Sequence, residues 1–123
     1  MKEDDSGLAA YRLPDDFNAR SPHKFGLLPR DKQEDISGRR VIVIGRSAPN
    51  KIVIKEGWIP GEINGQYALD MLQPIGPGDS GAPVLDYHSF ELAGIVLGRG
   101  VGENKDILPL AIPIKAYAEF LDK

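Results

Sequence analysis

The sequence predicts an all-β fold, a small antiparallel barrel or sandwich with one short C-terminal helix. Fourteen glycines and ten prolines divide the 123 residues into short segments. Between them lie apolar runs of four to eight residues, several of them rich in β-branched side chains. Short strands at this spacing, separated by turn residues, are typical of small antiparallel barrels and sandwiches.

A β-hairpin is predicted near the middle of the chain. Residues 41–44 (Val-Ile-Val-Ile) are β-branched throughout and are followed by Gly45, which indicates a strand and its end. Residues 47–50 (Ser-Ala-Pro-Asn) have the composition of a turn. Residues 51–55 (Lys-Ile-Val-Ile-Lys) then form the returning strand.

The remaining elements are shorter or more weakly marked. Asn64 and Gly65 both tolerate positive φ, so they predict the type I′ turn of a second hairpin. Residues 14–38 are polar, contain three prolines and show no period, which indicates a connector. Further strands are predicted at residues 8–13, 67–72, 82–85, 92–97 and 107–114, with a loop at 86–90 and a helix at 115–121.

Composition excludes several classes of function. The net charge of −3, with no basic run, argues against a nucleic-acid partner. Cysteine is absent, which removes disulfides, thiolate metal sites and thiol catalysis, and two histidines leave little material for a metal site. We therefore expect no metal, no cofactor and no membrane-spanning segment. The acidic start of the chain lacks the apolar core of a signal peptide, and the cysteine-free composition favours an intracellular location while permitting secretion.

The segment that carries chemistry is residues 76–84, Gly-Pro-Gly-Asp-Ser-Gly-Ala-Pro-Val. A serine flanked by glycine, here Ser80 before Gly81, can occupy a tight turn where neighbouring backbone N–H groups face outward. Two such donors can hold a developing oxyanion, which is a large contribution to acyl transfer. The alternative interpretation is a glycine- and proline-rich β-turn in which the aspartate and serine only cap the backbone.

This segment resembles the trypsin/chymotrypsin-like serine protease family around its nucleophile. The resemblance covers residues 78–84 and the apolar run at 92–96 (Leu-Ala-Gly-Ile-Val), and it continues upstream and downstream. Residues 38–46 are similar to the opening strand of the family's second barrel. Residues 5–13 are similar to the strand that begins with its triad aspartate, and residues 111–114 to its ending.

The resemblance implies an antiparallel six-stranded barrel of the trypsin-like type with a short C-terminal helix, and a division of the chain. Residues 1–38 would be the remnant of a first-barrel strand and a connector. Residues 39–123 would form the second β-barrel with its short helix.

The resemblance also implies a role for individual residues. Ser80 would be the nucleophile, and the N–H groups of Gly78 and Ser80 would form the oxyanion hole. Asp5 would orient a histidine, and Asp79 would hold the oxyanion loop through a buried polar contact. Pro74 lies six residues before Ser80, where the family often has the floor of its primary specificity pocket. Its lack of charge argues against a preference for lysine or arginine at the cleavage site.

The sequence departs from the family in its general base. The family order is His, Asp, Ser, but only four residues precede Asp5 and none is a histidine. His23 lies in the predicted connector, and His88 lies in the loop at 86–90. We therefore expect this chain alone to be nearly inactive, because loss of the base costs about as much as loss of the whole triad.

Two functions follow from these observations, and whether this chain is an enzyme stays open between them. The first is a trypsin-like serine endopeptidase domain that hydrolyses peptide or protein substrates through Ser80, present as a partial chain. The alternative is a non-catalytic, protease-like barrel that binds peptides or proteins. In both cases the strand at residues 8–13 lacks barrel neighbours. We expect it to be covered by self-association or by a separate first-barrel chain, which could also supply the histidine.

Overall fold

Two antiparallel sheets contain the strands of the computed structural model, which describes residues 2–3, 9–10, 26–48, 51–101 and 107–116. A small sheet pairs β1 (Lys2–Glu3) with β2 (Ala9–Ala10). The main sheet has eight strands within the described residues: β3 (Arg39–Ala48), β4 (Lys51–Ile59), β5 (Glu62–Ile63), β6 (Gln66–Ala68), β7 (Asp70–Met71), β8 (Pro83–Asp86), β9 (Leu92–Val101) and β10 (Ile107–Pro113).

The main sheet has the strand order β5-β6-β10-β9-β8-β3-β4-β7, and each neighbouring pair is antiparallel. The predicted all-β class is therefore confirmed. The sheet is not closed into a barrel by strand pairing, in contrast to the predicted ring of six strands. The sheet is nevertheless strongly curved. The evidence is that β6 and β7 lie towards opposite ends of the strand order, although only Leu69 separates them in the chain. Two Cα atoms two residues apart are at most about 7 Å from each other, so these parts of the sheet approach at Leu69.

The predicted central hairpin is confirmed as β3 and β4, which are longer than the apolar runs that predicted them. All residues of β4 pair with β3. Side chains alternate between the two faces of each strand. Val41, Val43 and Ile59 on the inner face are fully buried, whereas Ile52 and Ile54 on the outer face are exposed. The hairpin thus contributes to the core with one face only.

The second predicted hairpin is also confirmed. Asn64 and Gly65 have φ angles of 52° and 80°, as a type I′ turn requires, and they join β5 to β6. The strand predicted at 67–72 is interrupted at Leu69. The N–H of Leu69 donates to Pro109 O in β10 (3.0 Å), whereas the residues that follow pair with β4. One short run therefore serves two different neighbours.

The end of the predicted connector has structure that the sequence did not reveal. A five-residue helix, α1 (Arg30–Glu34), follows Pro29, and the chain on either side of it packs on the main sheet. Leu28 and Ile36 belong to the buried core, and the Leu28 N–H donates to Leu92 O of β9 (2.9 Å). Residues 26–38 are thus part of the packed unit.

Two terminal predictions fall partly outside the described residues. Of the strand predicted at 8–13 the structure describes Ala9 and Ala10, which form β2. Of the helix predicted at 115–121 it describes the start, since residues 114–116 are helical. No helix in the described part of the chain is long and apolar enough to cross a membrane. Among the same residues no cluster of histidine, aspartate and glutamate is placed to hold a metal ion.

Candidate functional site

Ser80 ends a single 3-10 turn between two strands of the sheet. The turn comprises Pro77–Asp79, and Ser80 follows it with φ −59° and ψ 130°. Gly81 then adopts a φ of +86°, a conformation that costs a non-glycine residue free energy. This reversal lets the N–H of Ala82 donate to Asp79 O (2.9 Å) before β8 begins. The glycines around Ser80 therefore allow the tight, serine-bearing turn that the sequence predicts.

A surface pocket of about 440 Å³ opens beside this turn. One side is formed by the serine turn and the other by the end of the hairpin at which β3 finishes and β4 begins. The lining includes Gly78, Ser80, Gly81, Ile44, Arg46 and Ile52. Ser80 and Gly78 are both exposed, so a ligand in the pocket can reach the serine hydroxyl and the backbone of the turn.

Asp79 lies beneath the turn and is fully buried. Its Oδ1 accepts a hydrogen bond from the N–H of Arg46 in β3 (3.0 Å). Its Oδ2 accepts from the N–H of Gly76 (2.8 Å) and from Lys55 Nζ of β4 (2.6 Å). One carboxylate therefore ties the Ser80 turn to both strands of the hairpin.

Lys55 is the partner that sequence reasoning missed. It is 7% exposed, and its ammonium group also donates to Pro74 O (2.8 Å). Alternation along β4 places Lys55 on the same face as Val53 and Gly57, which is the inner one in the structure. A lysine on an inner face needs a buried acceptor or counter-charge. The sequence gives no signal of this, because the opposite face of β4, with Ile52 and Ile54, is the more apolar one.

The ion pair determines the charge state of Asp79. Burial alone raises the pKa of this carboxyl, but the hydrogen bonds from Lys55, Gly76 and Arg46 and the charge of Lys55 lower it by more. The net result is a pKa below the usual value of 3.8, so Asp79 is ionised at neutral pH. The space around it is closed, since a Cβ added at Gly45 would lie 2.1 Å from Asp79 Oδ1.

The structure brings no histidine of its described residues to Ser80. The Ser80 Oγ lies 3.5 Å from Leu97 O, which is a long contact for a hydroxyl. His88 follows the opposite end of β8, packed edge-on against the ring of Tyr87. The strand alone separates its two ends by about 10 Å. Asp5 and His23 lie outside the described residues, so their predicted roles are not examined by the structure.

Pro74 is exposed and lies in a second pocket, of about 300 Å³. Ile75, Arg99 and Pro109 contribute to the same pocket, and Arg99 Nη2 donates to Ile75 O (2.7 Å). This pocket shares no lining residue with the pocket beside Ser80. Pro74 therefore does not line the pocket beside Ser80, although its carbonyl shares the Lys55 ammonium group with Asp79.

No protein-family model and no curated protein sequence matches this chain. The resemblance to trypsin-like proteases therefore stays a prediction based on the motif around Ser80.

Proposed function

We propose that Ser80 is the nucleophile of a trypsin-like serine endopeptidase site that acts on peptide or protein substrates. The observation that carries the proposal is the arrangement at the Ser80 turn. An exposed serine lies beside Gly78 at the wall of a pocket, while the intervening Asp79 is buried and bonded to both strands of the hairpin. A capping turn without chemistry does not require a buried ion pair, which is costly to desolvate, immediately below an open pocket.

The curvature of the main sheet supports a trypsin-like barrel as part of the same proposal. If the run at residues 66–71 is counted as one strand, it pairs with β10 through β6 and with β4 through β7. The strands β10, β9, β8, β3 and β4 then complete a ring of six. Only the short break at Leu69 interrupts that ring.

The chemistry that such a site performs is acyl transfer. The Ser80 Oγ forms a bond to the carbonyl carbon of the substrate and gives up its proton to a base. The resulting oxyanion accepts hydrogen bonds from the N–H groups of Gly78 and Ser80, and the leaving amine takes the proton when the peptide bond breaks. The described residues supply the nucleophile and the turn. The base would come from the rest of the chain or from another chain.

A non-catalytic binding module is the second candidate, and one observation favours it. The histidine that the structure describes, His88, lies beyond the far end of β8 from Ser80. The same pocket can hold a peptide, and the same N–H groups can donate hydrogen bonds to its carbonyl oxygen, without cleavage of the peptide. In this case Ser80 contributes a hydrogen bond and no covalent step.

Labelling with a fluorophosphonate, followed by intact-mass measurement, distinguishes the two candidates. Such probes react with a serine that is activated by a base and faces an oxyanion hole. Because the chain alone is expected to be nearly inactive, we expect slow labelling that reaches one label per chain only after long exposure. The label should be absent in Ser80→Ala and retained in Ser37→Ala, which removes an exposed serine before β3. A folded chain that takes up no label even slowly would contradict the endopeptidase proposal and leave the binding module.

A further inference from the structure

The outer edge of β4 is largely without a strand partner. On one side β4 pairs with β3 over its whole length. On the other side it pairs with β7 only at Gly57 and Trp58, and the N–H of Leu72 adds one bond to Glu56 O (2.8 Å). No residue in the described ranges pairs with this side of β4 between Lys51 and Lys55. Half of the strand is therefore a sheet edge.

The backbone of this edge faces outward. The carbonyl of Glu56 accepts from Leu72, and its N–H donates to the side chain of Gln73 (2.8 Å), so both groups of Glu56 point away from β3. Residues along an antiparallel strand alternate the side to which their backbone groups point. Ile54 and Ile52 therefore present two N–H and two carbonyl groups at the edge. The Gln73 amide occupies the position where a neighbouring strand would continue.

The side chains of the edge are apolar and exposed. Ile52 is 71% exposed and Ile54 is 64% exposed, on the same face of β4 as the exposed Leu72 on its neighbouring strand. Natural sheets usually protect an edge with charges, prolines, bulges or a covering segment, because an apolar edge recruits other strands. Two β-branched residues in this position favour a strand over a loop or a helix as the occupant.

The charges around the edge favour an acidic partner over a second copy of the chain. Lys51 begins the edge, and Arg46 lies opposite Ile52 on β3. Both are exposed, and neither is in a salt bridge within the part of the chain that the structure describes. Antiparallel pairing of two such edges about Val53 would place Lys51 of each copy opposite Lys55 of the other, and like charges directly opposite each other on paired strands are destabilising. A strand that carries carboxylates gains from the same groups.

We propose that the outer edge of β4, from Lys51 to Ile54, binds by strand addition an extended segment of another protein whose side chains are alternately aliphatic and acidic. The backbone groups of Ile52 and Ile54 provide the hydrogen bonds. The aliphatic side chains of the segment cover the two isoleucines, and its carboxylates lie near Lys51. The edge borders the Ser80 pocket, since Ile52 also lines that pocket. The interaction uses the backbone of β4 and not the serine turn, so it stands independently of the chemistry proposed for Ser80.

The test uses a defined peptide and a chain that cannot cleave it. The probe is a fluorescein-labelled peptide of about eight residues that alternates valine with glutamate, titrated with the Ser80→Ala protein and followed by fluorescence anisotropy. We expect saturable binding that weakens as salt is added. Ile54→Glu should reduce the affinity by at least about tenfold, because it places a carboxylate opposite the aliphatic face of the segment. Leu27→Glu, at a site 52% exposed elsewhere on the surface, should leave the affinity unchanged.

A second peptide separates strand pairing from adhesion. It has the same side chains but is N-methylated at every second residue, so one edge of the extended peptide has no N–H groups to donate to β4. It should not bind, and a lysine-for-glutamate version should bind more weakly than the acidic peptide. Equal affinity for the N-methylated peptide, or no binding of the acidic peptide, would overturn the proposal. So would a concentration-dependent dimer by sedimentation that disappears in Ile54→Glu, because the occupant would then be a second copy.

Discussion

Removal of the buried cation below the serine turn should destabilise the whole chain. The substitution Lys55→Met keeps the length and most of the volume of the side chain but removes the ammonium group. Asp79 then keeps only its bonds from the N–H groups of Arg46 and Gly76, and the carbonyl of Pro74 loses its donor. A fully buried carboxylate is left without a counter-charge.

The expected loss in the free energy of unfolding is about 3–5 kcal/mol near neutral pH, the cost of removing one partner from a buried ion pair. The upper part of this range applies because Asp79 has no exposed surface and Lys55 has almost none. A domain of this size has a total stability of about 5–15 kcal/mol, so the change is a large fraction of the whole.

Urea unfolding followed by the fluorescence of Trp58, the single tryptophan, measures this loss. Lys115→Met is the matched control, since it removes the same group from a pair with Glu62 in which both side chains are about one-third exposed. Exposed pairs contribute about 0–1 kcal/mol, so the control should be nearly as stable as the parent protein.

The pH dependence gives the result that would refute the reasoning. Without Lys55 the pKa of Asp79 must move up, because the hydrogen bond and the charge that lower it are gone. As the pH falls, Asp79 of Lys55→Met therefore takes up its proton before Asp79 of the parent, whose pKa is lowered, and the difference in stability between the two proteins should shrink. A loss below about 1 kcal/mol at neutral pH, or a loss that is the same at low pH, would show that the ion pair does not hold the turn.

Two further predictions concern the same region and its charges. Gly45→Ala should destabilise the chain by about 2–3 kcal/mol, because the added Cβ would overlap Asp79 Oδ1. Gly61→Ala is the control and should not destabilise the chain, since the atom nearest to its added Cβ is 3.8 Å away. Equal urea midpoints for the two variants would contradict this prediction. The second prediction concerns acid. Burial raises the pKa values of Asp79 and Asp86, but hydrogen bonds and ion pairs lower them by more. The stabilisation from these two carboxylates is therefore present above about pH 4 and is lost as the pH falls through their lowered pKa values. The urea midpoint should not change with pH near neutrality and should fall below about pH 4, less steeply in Asp86→Asn than in the parent protein. A midpoint that stays constant down to about pH 2 would refute this.

The sequence predicts those parts of the fold that local chemistry determines. The β-branched run at residues 41–44 and the Asn64–Gly65 pair identify their hairpins because each signal lies within a few residues of the structure it causes. The glycines around Ser80 identify the serine turn for the same reason. The predicted strands at 41–44 and 92–97 are too short. In the structure β3 and β9 continue through arginine and glycine residues, because pairing with the neighbouring strands stabilises them there.

What the sequence could not predict depends on contacts between distant residues. Lys55 and Asp79 are 24 residues apart, and only the folded hairpin brings them together. The helix α1 is polar and has a single buried side chain, Gln33, whose Nε2 donates to Leu28 O (2.6 Å), so it has no apolar period to detect. The break at Leu69 likewise arises from a choice of partners and not from its own residue type.

The position of β10 in the sheet has a consequence for the order in which the chain can fold during synthesis. It is the described strand nearest the carboxyl end, yet it lies between β6 and β9, which precede it. Until residues 107–113 leave the ribosome, the nascent chain has two unsatisfied strand edges at once, and Tyr67 of β6 has no neighbour at Ala111. The earlier hairpins can form as they emerge, but the sheet becomes continuous only when its last strand inserts between them. A chain truncated before residue 107 should therefore be captured by chaperones or aggregate, whereas the chain of 123 residues should fold after its release.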